Sequence, residues 1–172
     1  LFSGVYNQGK FARYIGILGL LVALCVSFSP ELAFFNQYKS MFDFNENAAL
    51  FTKISLVVTL LIFFLGGFAF NNHRSHQSEL YSLMLFSLIG AVILFSFTNL
   101  VTLFLGIEIL SIPLYVMAGS NKTDLRSNEA SIKYFLMGAF STGFLLFGIT
   151  LIYGATGSFD IAVIQQYLVD NV

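Results

Sequence analysis

The stretch Thr98–Ser120, TNLVTLFLGIEILSIPLYVMAGS, decides how the rest of the chain is read. Between Asn99 and Gly119 its only charged side chain is Glu108. At ~1.5 Å rise per residue the stretch matches the ~30 Å hydrocarbon core of a bilayer. Glu108 then falls ~13 Å from either end, close to the midplane. A carboxyl group at that depth costs on the order of 3 kcal/mol unless it is paired, hydrated or protonated, which makes it a functional-site residue by default. Five residues on, Pro113 has no backbone N–H, so the carbonyl of Ile109 loses its helical partner. With the Ser111 hydroxyl, a carboxyl and a freed carbonyl gather within about one turn. Such polar backbone at membrane depth belongs against protein or water, not lipid. The plainer alternative is a protonated Glu108 that only holds helices together.

The rest of the composition agrees. The chain has 172 residues, 57% of them hydrophobic and only 10% charged, which excludes an ordinary soluble domain. A net charge of −1 with thinly spread Lys and Arg gives no footprint for nucleic acid. Cys25 is the single cysteine, so no disulfide forms within the chain, and it is expected to pack as a small hydrophobe. Without tryptophan, any interfacial aromatic belt is built from tyrosine. The opening on Leu1 and the amphipathic end suggest a piece of a longer protein.

Hydropathy predicts an all-α, polytopic transmembrane helix bundle with about five spans. These cover about 11–28, 48–70, 80–97, 99–119 and 130–153, within a single membrane domain. Lys53 lies in the opening turns of the second span and can snorkel to the headgroups. Thr98-Asn99 is a very short hairpin, and Ser127 is the expected N-cap of the fifth span. Lys10, Arg13, Arg74, Lys122 and Arg126 collect on one side, with Lys133 just inside; the other side has Lys39 and Lys53. The first side is therefore expected to face the cytoplasm. The tail GATGSFDIAVIQQYLVDNV is too short and polar to cross. Gly154 and Gly157 should break the helix, and Ser158 should cap an amphipathic helix at about 158–169 lying in the outer interface.

Lys133 is the second candidate residue. It either snorkels or pairs with Glu129 four residues earlier, or it turns inward toward Glu108 across ~7–10 Å of membrane depth. His73 and His76 form an H-x-x-H pair in a polar loop without further ligands, which favours a solvated loop over a metal site. Gly138, Gly143 and Gly148 line the fifth span with small residues, a pattern of close helix packing. No P-loop, dinucleotide fingerprint, haem or iron–sulfur pattern occurs, so no redox site is expected on this chain.

The run LVTLFLGIEILSIPLYVMAG, followed by RSNEASIKYFLMGAFSTGFLLFGITLIYGATGSFD, closely resembles the subunit N family of NADH-quinone oxidoreductase, respiratory complex I. The resemblance is densest over Leu80–Asp160; Phe11–Phe70 matches mainly in hydropathy. It implies an antiporter-like fold of two inverted repeats that moves protons across the membrane. Glu108 then matches the family's essential glutamate and Lys133 a lysine on the next helix, with Pro113 and Ser111 as kink and polar support. NADH, FMN, iron–sulfur clusters and quinone would belong to the assembled complex rather than to this chain. Its partners would be other membrane subunits and the bilayer, in the inner (cytoplasmic) membrane of a bacterium. A cation/proton antiporter subunit of the same ancestry and a purely structural membrane subunit are the alternatives.

Overall fold

The computed structural model describes residues 9–28, 41–69 and 77–171. They form six helices: α1 Gly9–Ser27, α2 Glu46–Ala69, α3 Gln77–Ser96, α4 Leu100–Ala118, α5 Leu125–Thr156 and α6 Ile161–Asn171. The chain is an all-α transmembrane bundle. Four helices, α2 to α5, are long and apolar enough to cross a membrane, whereas the apolar part of α1, Ala12–Ser27, is shorter. His73, Arg74, His76 and Lys39 lie outside the described residues.

The first three helices share a core of Leu20, Leu56, Phe63 and Tyr81. Phe63 is fully buried, and its ring meets that of Tyr81 at 4.7 Å. Arg13, near the start of α1, hydrogen-bonds to Tyr81 on α3, so the opening turns of these two helices lie at the same end of the bundle. Lys53 does not reach away freely: its ammonium lies over the Phe28 ring, 4.8 Å from the centroid, a cation–π contact. Cys25 is exposed on α1 rather than packed.

Several hydroxyls inside the apolar helices are satisfied by their own backbone. Thr52 donates to the Ala48 carbonyl, Thr59 to Ser55, Ser82 to Ser78 and Ser96 to Val92. Each bond removes a cost that an unpaired hydroxyl would carry in an apolar medium.

One end of the bundle is stitched by backbone. Asp43 N–H donates to the Ser96 carbonyl at 2.7 Å and Thr98 N–H to Met41 at 3.2 Å. Leu100 N–H donates to Phe159 at 2.9 Å and Ile161 N–H to Thr98 at 3.1 Å. The hairpin between α3 and α4 therefore lies between the segment before α2 and the segment before α6, in two isolated antiparallel bridges. These contacts put all three connections on the same side of the bundle, as alternating spans require.

Two helix starts differ from the sequence reading. The N-cap of α5 is Asp124, whose side chain accepts from Arg126 N–H, and Ser127 is turned to another use. Asp160, not Ser158, accepts from the Ala162 N–H at the start of α6. Gly154 stays helical, and α5 ends at Gly157, whose φ of 70° is readily available only to glycine. With 32 residues, α5 runs for about 48 Å and begins five residues before its apolar part.

Candidate functional site

Helix α4 starts at Asn99, whose side chain accepts from Val101 N–H at 2.9 Å. It continues through Pro113 without a break. Pro113 is buried, and the helix is long and apolar enough to cross. Glu108 stands eight residues after Leu100 and ten before Ala118, about 12 and 15 Å from the ends. It is half-buried, and among the described residues its carboxylate makes no hydrogen bond or ion pair. Ser111, three residues on, is half-buried as well.

Helices α3 and α4 pack closely on either side of this level, backbone to backbone at Gly90. A Cβ added to Gly90 of α3 would overlap Leu110 N and lie 2.7 Å from its Cα; one added to Gly106 of α4 would lie 2.8 Å from the Leu94 side chain. Thr102, Gly106 and Pro113 are the buried positions on this side of α4. Their spacing of four and seven residues marks one helix face. Glu108 is about half a turn away from Gly106 and Leu110, so it points away from α3. It shares its own face with Ser111 and Tyr115, at i, i+3 and i+7.

Tyr115 leads to α5. Its ring is buried, edge-on to Tyr134 at 4.8 Å, and its hydroxyl sits where a side chain at Gly138 would have to go. The Ser131 hydroxyl donates to the Tyr115 carbonyl at 2.8 Å, and the Ser127 hydroxyl to the Ala118 carbonyl at 2.7 Å. One turn apart on α5, these two serines satisfy carbonyls that the end of α4 leaves open. Sequence reasoning named neither Tyr115 nor Ser131. The i+7 spacing from Glu108 was the signal available for the tyrosine. Of the glycines expected to pack, Gly138 does; Gly143 and Gly148 have nothing within 4 Å of an added Cβ.

Lys133 is brought to Glu129, not to Glu108. The two form an ion pair one turn apart, with side chains 69% and 63% exposed. The favourable Glu-before-Lys order accounts for the geometry. Lys133 thus lies on the open side of α5, where only 6% of the apolar span is buried. Among the described residues no three His, Cys, Asp or Glu side chains gather in a way that would hold a metal ion.

Residues 96–172 match the family described as NADH:quinone oxidoreductase/Mrp antiporter, TM, which makes α4 to α6 part of an antiporter-like membrane fold. Two curated proteins called NADH-quinone oxidoreductase subunit N are similar at 44% identity over 154 residues (Cytophaga hutchinsonii) and 43% over 150 residues (Flavobacterium johnsoniae). These alignments cover 88% and 87% of this chain, and 33% and 32% of the relatives. The chain therefore spans about a third of the length of the curated relatives it matches. Among solved structures, respiratory complex I from Thermus thermophilus with bound Aureothin superimposes with a TM-score of 0.66 at 27% identity, over 96% of this chain and 40% of that one. The membrane-bound sulfane sulfur reductase, an archaeal respiratory membrane complex, gives 0.73 at 26%, over 95% and 36%. The resemblance to subunit N read from the motifs is borne out.

Proposed function

We propose that this chain is part of a proton-translocating membrane subunit of NADH-quinone oxidoreductase, and that Glu108 is its proton carrier. The observation that carries this reading is a half-buried carboxyl near the middle of a spanning helix, without a partner among the described residues, inside the segment that matches the antiporter-like family. A carboxyl so placed can take a proton from one side and release it to the other when neighbouring charges change. Redox chemistry, with NADH, FMN, iron–sulfur clusters and quinone, lies on other subunits in this reading. The complex sits in the inner membrane of a bacterium, with the Lys122 loop toward the cytoplasm because Lys and Arg concentrate there. Lys133 acts as a charge on the open side of α5, available to groups beyond this segment.

The test is quinone-linked proton uptake in vesicles containing the intact complex. Glu108→Gln keeps shape and hydrogen bonding but cannot carry the proton. Assembly should be normal and uptake lost; full uptake would reduce Glu108 to a structural residue. A second reading, a cation/proton antiporter subunit, is favoured by the family description itself, which spans both classes. Co-purification separates the two: flavin and iron–sulfur proteins accompany the oxidoreductase, other antiporter subunits the alternative.

A further inference from the structure

The stitched end of the bundle contains a reciprocal cap. Leu100 is the first residue of α4 and Ile161 the first of α6. Each has an N–H that its own helix cannot satisfy. Leu100 N–H donates to the Phe159 carbonyl, and Ile161 N–H donates to the Thr98 carbonyl. Asn99 and Asp160, paired across this bridge, cap the next free N–H groups of their own helices, those of Val101 and Ala162. The two helix starts are thus joined by a two-way backbone bond across the antiparallel Asn99–Asp160 bridge. Stacking of Tyr153 on Phe159, with centroids 4.2 Å apart, fixes the α6 side of the joint to the end of α5.

The other end of α4 is held by the hydroxyls of Ser127 and Ser131. Glu108 therefore rides on a helix pinned at both ends by hydrogen bonds and weakened between them at Pro113. In contrast, α6 buries none of its residues, and apart from its first turn nothing in the described chain restrains it tightly. We propose that α6 is a latch: through the Leu100 and Ile161 N–H groups it sets the axial position of α4, and so the position of Glu108 in the proton path. The inference rests on the functional reading given above. Leu100 and Ile161 are positioning residues through their backbone; neither touches the proton.

Proline at the first helical position tests this, because a helix tolerates it there while the N–H is removed. Asn99 is already extended, with φ −129° and ψ 139°, the conformation a following proline demands. In the intact complex, with Cys25→Ser as background, spin labels at Val101 and Gln165 report the distance between the starts of α4 and α6. Ile161→Pro should broaden that distance and at least halve the protons taken up per NADH oxidised, with assembly intact. Ile161→Ala, which keeps the N–H, should match the parent on both measures. An unchanged distance in Ile161→Pro, or a broadened one with parental proton uptake, overturns the latch. Should that variant not assemble, Leu100→Pro breaks the reciprocal bond from the other side and is judged alike. Hydrogen exchange on the unmodified complex gives an independent check: the Leu100 and Ile161 amides should be protected together, and free exchange at either sinks the proposal. Parental uptake in Glu108→Gln is a different result, since it removes the functional reading itself whatever the proline variants show.

Discussion

Helices α3 and α4 on one hand, and α5 on the other, are equally apolar and are used in opposite ways. Of the spanning windows of α3 and α4, 22% is buried within this chain; of α5, 6%. At Gly90 the backbones of α3 and α4 come together without an intervening side chain, while α5 meets Tyr115 of α4 through Tyr134, Phe135 and Gly138 and bonds the last carbonyls of α4 through two serines. In water such exposure as that of α5, with Phe140, Phe144 and Phe147 all facing out, would be an aggregation hazard. In lipid it costs nothing by itself, since acyl chains are as apolar as the side chains they meet, and close packing of small residues decides which helices associate. The half-buried carboxyl of Glu108 sits on the tightly held helix, and the charged pair Glu129–Lys133 on the open one.

This contrast can be broken or sharpened by substitution. The largest effect belongs to Glu108→Gln, with proton uptake lost in an assembled complex; the measurement is acidification of vesicles driven by NADH. Gly90→Val comes next. Its branched side chain has no room against Leu110, and overpacking of this kind costs about 1–3 kcal/mol, so less subunit should survive in the membrane fraction. Gly143→Val, in open space, should leave that amount unchanged; equal loss in both would erase the difference between the two regions. Ser131→Ala follows, leaving the Tyr115 carbonyl short of a donor at about 0.5–1.5 kcal/mol, which a thermal-shift measurement on the purified complex would register. The smallest effect is expected from Glu129→Gln, whose pair is exposed and worth below about 1 kcal/mol; proton uptake and stability should both stay near the parent.

Much of this was legible in the sequence, and the gaps have physical causes. Hydropathy found the spanning helices because burial in lipid requires a continuous apolar run whatever the neighbours are. It missed the first turns of α5, since Arg126, Asn128 and Glu129 are polar and a helix that leaves the membrane gives no apolar signal. Ser127 looks like a cap because serine caps well, but the hydroxyl is used on the Ala118 carbonyl of another helix, and no local pattern distinguishes the two. The stripe Gly138, Gly143, Gly148 says that something could approach; only Tyr115 at Gly138 shows where it does. At the site, Glu108, Ser111 and Pro113 were readable from their depth and spacing. The i, i+4 spacing offered the Glu129 partner of Lys133 equally well, but the choice between it and Glu108 is set by how α5 turns.

The length of α5 has a consequence for the lipid itself. Its apolar run from Ala130 to Tyr153 measures about 36 Å, some 6 Å more than an average hydrocarbon core. A helix too long for its bilayer leans or thickens the lipid around it, at a modest cost for each ångström of mismatch. Leaning is carried to the far end of α5, where Ile149 is buried and Tyr153 stacks on Phe159 at the joint with the start of α4. Acyl-chain length thus becomes a variable that acts on this molecule, with longer chains allowing α5 to stand upright and shorter ones tipping it.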